Sequence, residues 1–186
     1  MDRCSIVPMG FPRDMTPPET GIHMDNQNIL EGKKILVVDD EPDILETLEE
    51  LLYMCTVDTA STFEGAIALL KNNAYDVAVL DIMGVKGYDI LKATNTLEIP
   101  SLMLTAHALT PDNLKQSIEL GADAYIPKDK LVDISQFIAD VLQAKQNGKT
   151  ANTKWFSLLK PVFDKLFGKG WRKKDKAFWG EFNAKQ

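Results

Sequence analysis

The chain has 186 residues, of which 45% are hydrophobic and 26% are charged, and its formal net charge is −6. This length suits one domain with appendages or two very small domains, and the composition excludes a collagen-like fibre and a fully disordered chain. The charge is uneven: residues 1–150 carry 12 Lys and Arg against 24 Asp and Glu, whereas residues 151–186 carry 9 against 3, so an acidic body precedes a basic tail.

The first segment, residues 1–30, has the composition of a disordered leader. It lacks the hydrophobic core of a signal peptide and is interrupted by four prolines and two glycines. A translation start at Met24 is the favoured interpretation, and a genuine flexible leader is the alternative.

Cys4 and Cys55 have no metal-binding spacing and predict no disulfide framework, and we expect Cys55 to be a small apolar residue in a strand. No apolar run approaches the ~18 residues of a membrane span. The cysteine usage fits a reducing cytosol, so a cytoplasmic location is expected.

Five apolar stretches have the pattern of strands that are buried on both faces. They are residues 33–38, a short strand around Val57, and residues 77–80, 101–104 and 124–126. Apolar residues at helical spacing follow each strand, from Pro42 onward and over residues 62–72, 88–96, 112–120 and 131–146, with Gly121 as a C-cap. This alternation predicts an α/β fold, a doubly wound five-stranded parallel sheet with five helices.

Polar residues stand where four of these strands end. Asp39 and Asp40 follow the first strand, Asp81 the third, Thr105 the fourth and Lys128 the fifth. Ligands of parallel sheets bind beyond the carboxyl ends of the strands, so we expect these side chains to share one rim. Clustered carboxylates repel one another unless a cation neutralises them, and Mg²⁺ prefers few carboxylates together with waters and a phosphate oxygen.

The same residue types suit phosphoryl transfer. One carboxylate can act as a nucleophile toward phosphorus and form an aspartyl phosphate. A phosphoryl group in transfer carries charge on three oxygens, for which the expected partners are the cation, the Lys128 ammonium and the Thr105 hydroxyl.

Four stretches at these strand ends closely resemble the receiver domain of bacterial two-component response regulators. They are ILVVDDEP at residues 35–42, VLDIM at 79–83, LTA at 104–106 and GADAYIPK at 121–128. The resemblance covers about residues 33–145 and implies the flavodoxin-like strand order 2-1-3-4-5. Together with the composition of the two ends, it divides the chain into a leader at residues 1–30, a receiver domain at 31–147 and a basic, aromatic and amphipathic tail at 148–186.

The resemblance also implies a role for each acidic residue. Asp81 is the expected phosphoacceptor and also a metal ligand, Asp40 is a direct Mg²⁺ ligand and Asp39 an outer acidic partner of the metal. The backbone carbonyl of Met83 is expected to be a further metal ligand. Mg²⁺ is therefore the expected cofactor.

Three further residues have implied roles in binding and in switching. Thr105 and Lys128 are expected to contact the phosphoryl group, and Tyr125 is the expected switch aromatic, which turns inward when Thr105 moves toward the phosphoryl group. The alternatives are purely structural roles. Asp39 and Asp40 would cap the helix that begins at Pro42, Thr105 would cap the next helix, and Tyr125 would be a core residue.

The resemblance implies a stand-alone receiver that takes phosphate on Asp81 from a histidine kinase or phosphotransfer protein and signals to a downstream protein by contact. Enzymatic turnover is not expected beyond self-phosphorylation and self-dephosphorylation.

The sequence departs from the family in two places. The loop after Asp81 lacks the usual proline and is about two residues short, and Pro127 precedes Lys128 with Asp129 after it. These departures motivate an alternative, a phosphate-independent interaction module that acts through its tail. A phosphohydrolase with His107 as its base is a weaker alternative.

The tail predicts an amphipathic helix with apolar residues at 155, 158/159, 162/163 and 166 on one face, and Pro161 is expected to kink it or to start a second helix. The 36 residues from 151 to 186 are too few for a DNA-binding domain with its own core, so DNA binding is not expected. Three alternatives stay open: packing on the acidic receiver, docking on a partner or on a second copy as a homodimer, and contact with a membrane surface or nucleic acid.

Overall fold

The structure is a computed structural model that describes residues 29–106, 110–148 and 154–184. Within these ranges the chain forms five strands and seven α-helices. The strands are β1 Lys34–Val38, β2 Thr56–Ala60, β3 Val77–Asp81, β4 Ser101–Thr105 and β5 Ala124–Pro127. The helices are α1 Pro42–Leu51, α2 Phe63–Asn72, α3 Gly87–Thr96, α4 Pro111–Glu119, α5 Ile134–Gln146, α6 Lys154–Phe167 and α7 Lys176–Ala184. Cys4, Met24, His107 and most of the predicted leader lie outside the described residues.

All five strands are parallel and lie in the order β2-β1-β3-β4-β5, which confirms the predicted fold class. Every residue of β3, β4 and β5 is buried, because helices cover both faces of the sheet. The parallel arrangement brings the carboxyl ends of all the strands to one edge, and that edge is where the predicted site residues lie.

Local sequence signals explain where the helices begin and end. Pro42 and Pro111 occupy the first positions of α1 and α4, where a missing N–H costs nothing. The Thr62 hydroxyl accepts a hydrogen bond from the backbone N–H of Gly65 at 3.1 Å and caps α2. Gly121 follows α4 with φ +86°, a conformation that favours glycine, as expected for a C-cap.

Two sequence predictions about the receiver are wrong in detail. The last receiver helix does not begin at residue 131, because residues Lys128–Asp133 form a 3₁₀ segment in which Lys130 departs from helical geometry. Cys55 lies before β2 rather than within it, and its thiol donates a hydrogen bond to the carbonyl of Leu30 at 3.3 Å. Burial, followed by the nearby charge of Asp76, raises the pKa of this thiol to about 11.

The tail is helical, as predicted, and Trp155, Leu159 and Phe163 of the predicted face are buried, but the rest of the buried face differs from the prediction. Helix α6 runs unbroken through Pro161, which lies on the exposed side, where water can solvate the carbonyl that loses its helical partner. Leu158 and Leu166 are 58% and 56% exposed, whereas Phe156 is buried. The reason is tertiary: α7 folds back over α6, so its Phe182 lies 5.1 Å from the Phe156 ring, measured between centroids.

Between α6 and α7 the tail turns through a second 3₁₀ segment, Trp171–Asp175. The turn is held from within the tail, because Trp171 Nε1 donates a hydrogen bond to Asp164 Oδ1 at 2.8 Å. None of the helices in the described ranges is long and apolar enough to cross a membrane.

Candidate phosphoryl site at the carboxyl edge of the sheet

Two buried carboxylates share one lysine at the carboxyl edge of the sheet. Asp39 follows β1 and is 0% exposed, and Asp81 ends the neighbouring strand β3 and is 4% exposed. Lys128 follows β5 and reaches across the edge, so that its Nζ lies 2.7 Å from Asp39 Oδ2 and 2.9 Å from Asp81 Oδ1. The strand order therefore brings together three of the predicted site residues.

Glu41 is a fourth member of this cluster, and sequence reasoning assigned it no role. Its Oε1 lies 2.7 Å from Lys128 Nζ, and its side chain is 59% exposed. The backbone N–H of Glu41 also donates a hydrogen bond to Asp39 Oδ1 at 3.0 Å, which fixes the buried carboxylate. The available signal was its position directly after the acidic pair, at the N-terminus of α1.

Burial dominates the electrostatics of the two inner carboxylates. It raises the pKa of Asp81 to about 6, with Lys128 opposing the rise and the charges of Asp39 and Asp40 adding to it. Burial also raises the pKa of Asp39. The same burial acts to lower the pKa of Lys128, but its hydrogen bonds with carboxylates outweigh that effect, so the pKa of this lysine is raised.

The loop between β3 and α3 packs tightly against the site. Gly84 has φ +67°, and a Cβ placed on it would lie 2.2 Å from Oδ1 of Asp40. A Cβ on Gly87 would lie 1.9 Å from the backbone oxygen of Asp81. Only glycine fits at these two positions, because the short loop passes so close to both aspartates.

Two predicted metal ligands have other contacts in this structure. The Asp40 carboxylate lies against the backbone of Gly84 rather than in the lysine cluster. The carbonyl of Met83 accepts a hydrogen bond from the N–H of Val85 at 2.5 Å, within the loop itself. Over the described part of the chain, no group of three or more His, Cys, Asp and Glu side chains is arranged to hold a metal.

The donor chemistry nevertheless fits a hard divalent cation. Asp39 and Asp81 are buried, face the same ammonium and offer only oxygen atoms. Mg²⁺ is bound by one or two carboxylates, with waters and a phosphate oxygen completing its shell, so a cluster of three side chains is not required.

Thr105 and Tyr125 lie behind the lysine cluster, on one face of the sheet. Met103 pairs with Tyr125 and Thr105 pairs with Pro127 across β4 and β5, and paired residues and residues two apart share a face. Thr105 Oγ1 is buried and, among the described residues, has no partner with good hydrogen-bond geometry. Its hydroxyl nevertheless lies close enough to that of Tyr125 to lower the pKa of the tyrosine. Tyr125 is fully buried, and burial raises its pKa.

This site occurs in a fold with known relatives. The model of the response regulator receiver domain matches residues 35–140. The chain belongs to the response regulator receiver domain family. This finding confirms the resemblance read from the sequence and assigns the chain to the receivers of two-component systems, which are signalling domains.

Relatives and solved structures agree with this assignment. Transcriptional regulatory protein CpxR of Escherichia coli (strain K12) is 40% identical over 99 residues, which are 51% of this chain and 42% of that protein. A response regulator receiver domain protein from Clostridium thermocellum matches with a TM-score of 0.56 at 31% identity, over 61% of this chain and 97% of the other. DrrB of Thermotoga maritima, an OmpR/PhoB homologue, matches with a TM-score of 0.53 at 28% identity, over 63% and 54% of the two chains. The chain spans less than half the length of the curated relative.

Proposed function

We propose that this receiver is a Mg²⁺-dependent phosphoacceptor that takes a phosphoryl group on Asp81 from a histidine kinase or phosphotransfer protein. It then signals by contact with a downstream protein, in the cytoplasm, and its chemistry does not extend beyond its own phosphorylation and dephosphorylation. The observation that carries the proposal is the buried Asp81 carboxylate at the end of β3, 2.9 Å from the Lys128 ammonium.

Asp81 has the properties of a carboxylate nucleophile. An oxygen of its carboxylate forms the bond to phosphorus while the bond from phosphorus to the donor's imidazole nitrogen breaks. Because burial raises the pKa of Asp81 to about 6, its carboxyl is still mostly ionised near neutral pH, and loss of solvation makes the anion more reactive.

Lys128 and Thr105 suit the oxygens of the transferred group. The ammonium already lies 2.9 Å from Asp81, so it can follow the negative charge onto a phosphoryl oxygen without a long movement. The buried Thr105 hydroxyl lies close to that of Tyr125 and can donate instead to another of these oxygens. Both groups then hold the acyl phosphate in place.

Asp39, Asp40, Asp81 and the Met83 carbonyl are the residues we assign to Mg²⁺. When bound, the ion neutralises charge on the carboxylates and the phosphoryl oxygens. For Asp39 the assignment rests on burial beside Asp81. For Asp40 and Met83 it rests on their positions in the strand-end motifs, and both must release their present contacts with the loop after Asp81.

The test is phosphorylation with ³²P-labelled acetyl phosphate and Mg²⁺. We expect the wild-type chain to take up acid-stable, base-labile label and Asp81→Asn to take up none. Asp89→Asn, which removes an exposed carboxylate on α3, is the matched control and should label normally. Label retained in Asp81→Asn would refute the acceptor assignment, and unchanged labelling in the presence of EDTA would refute the metal requirement.

A second candidate is an interaction module that works without phosphate. It is favoured by the contacts of Lys128, which is already held by Asp39, Glu41 and Asp81. This candidate predicts no uptake of label and partner binding that depends only on the tail.

A further inference from the structure

We propose that the surface formed by α4, β5 and α5 is a docking surface whose resident occupant is the chain's own segment 154–184, and that phosphorylation of Asp81 releases this segment. The proposal rests on the phosphoacceptor function proposed above. It assigns a role to the tail, which lies outside the residues 35–140 matched by the receiver family. We call this the α4–β5–α5 surface.

The first contact is with α4. Lys115 Nζ lies 2.9 Å from Asp175 Oδ1, in the 3₁₀ segment of the tail, and 5.5 Å from the ring centroid of Phe178 on α7. One lysine of the receiver therefore makes both an ion pair and a cation–π contact with the tail. This contact is partly exposed, so it directs the docking more than it stabilises it.

The second contact is with β5 and joins the two hydrophobic cores. The ring centroid of Tyr125 lies 6.3 Å from that of Phe163 on α6, and both residues are fully buried. Phe163 lies in turn 5.9 Å from Phe156 and 6.4 Å from Trp155. The aromatic cluster of the tail is thus continuous with the core of the receiver at Tyr125.

The third contact is with α5. Asp140 is only 8% exposed, and its Oδ1 lies 3.3 Å from Nζ of Lys154, the first residue of α6. A nearly buried carboxylate needs a cation, and here the cation comes from the tail. The charges also match overall, because residues 151–186 carry 9 Lys and Arg against 3 Asp and Glu and the body before them is acidic.

Tyr125 couples this surface to the phosphoryl site. It shares a face of the sheet with Thr105, whose hydroxyl is buried close to that of Tyr125 and has no partner with good geometry in the described part of the chain. A phosphoryl oxygen on Asp81 offers the Thr105 hydroxyl such a partner and draws it toward the rim. The space beside Tyr125 then opens, its ring moves away from Phe163, and the tail loses the contact that joins the two cores.

The test is hydrogen exchange measured by mass spectrometry on the full chain with Mg²⁺, with and without beryllofluoride as a phosphoryl analogue. We expect exchange in α6 and α7 to rise about tenfold when the analogue is added, while the loop over residues 82–87 becomes protected. Asp81→Asn should show neither change.

The two proposals fail in different ways in this experiment. Protection of residues 82–87 with unchanged exchange in α6 and α7 would leave the phosphoacceptor function standing and overturn release of the tail. No protection of residues 82–87 would overturn both. A third outcome is that exchange in the tail rises, the α4–β5–α5 surface stays protected and the particle mass doubles. In that case a second copy covers the surface after release of the tail, which also supports the proposal.

A charge exchange tests the docking contact without any phosphoryl group. Lys115→Asp places two acids in contact and should raise exchange in α7 about fivefold, and Lys115→Asp combined with Asp175→Lys should restore the wild-type rate. Lys92→Asp, on the exposed side of α3, is the matched control and should leave the rate unchanged. Unchanged exchange in α7 of Lys115→Asp would overturn the assignment of this surface.

Discussion

At the scale of single residues, Asp81 should make the stability of the receiver depend on pH. Its pKa is raised from 3.8 to about 6 by burial, so its contribution to the free energy of unfolding is fully present below the unfolded pKa of 3.8. That contribution is lost as the pH rises through about 6, because the ionised form is less well tolerated in the folded state.

We therefore expect wild type to lose about 2 kcal/mol relative to Asp81→Asn between pH 4 and pH 7 in the absence of Mg²⁺. Urea unfolding of both proteins across this range measures the difference. Saturating Mg²⁺ should reduce it, since bound cation favours the ionised carboxylate. A difference that does not vary with pH would contradict the assigned burial effect.

Lys128 and Glu41 form an ion pair, but the two residues should contribute very differently to the free energy of unfolding. The side chain of Lys128 is 8% exposed and neutralises two buried carboxylates, whereas that of Glu41 is 59% exposed. We expect Lys128→Met to lower the free energy of unfolding by about 3–5 kcal/mol at pH 7, because Asp39 and Asp81 are left without their cation.

Glu41→Gln should change that free energy by less than about 0.5 kcal/mol, because an exposed pair contributes little. Chemical denaturation of both variants makes the comparison. If both variants lost the same free energy of unfolding, the stabilisation would come from the Lys128–Glu41 pair and not from the pairing of Lys128 with the buried carboxylates. The cost of Lys128→Met should also fall as the pH is lowered through the pKa of Asp81.

At the scale of elements, α6 is held to the receiver by one of its faces only. Phe163 is fully buried between Tyr125 and the other rings of the tail, whereas Leu166, one turn later, is 56% exposed. Phe163→Ala should lower the free energy of unfolding by about 3–5 kcal/mol, and Leu166→Ala should lower it by less than about 1 kcal/mol. Urea denaturation measures both, and equal effects would show that α6 is oriented differently.

The elements also show which features local sequence can predict. The strands and receiver helices appear near their predicted positions, since runs of buried apolar residues, Pro at helix starts and Gly121 at a helix end act over a few residues. Local sequence does not predict the 3₁₀ segment Lys128–Asp133. Its first residue, Lys128, is held by Asp39 and Asp81, and these contacts come from distant parts of the chain. The buried face of α6 was partly misjudged, because it depends on where α7 lies.

At the scale of the whole molecule, the tail and the receiver should unfold together. All three tryptophans of the chain, Trp155, Trp171 and Trp179, lie in the tail, so their fluorescence reports on this part alone. Far-ultraviolet circular dichroism reports on the whole chain. Because the Tyr125–Phe163 contact joins the two cores, we expect the two signals to show the same urea midpoint.

A tryptophan transition at clearly lower urea would contradict this expectation and would show that the tail is a separate unit. Phe163→Ala is the matched variant, since it removes the contact between the cores and keeps the tryptophans. In that variant the two midpoints should separate, with the fluorescence change occurring first.

The sequence by itself determined the parallel α/β fold, the gathering of Asp39, Asp81, Thr105 and Lys128 at one edge and the separation of charge between body and tail. These follow from hydrophobic periodicity and from the rule that parallel strands end on the same side. The tertiary structure alone decided that Glu41 shares Lys128, that Asp40 lies against Gly84 and that the basic tail covers the α4–β5–α5 surface. Those contacts join residues far apart in the chain or depend on the path of a short loop, and no local pattern specifies such distances.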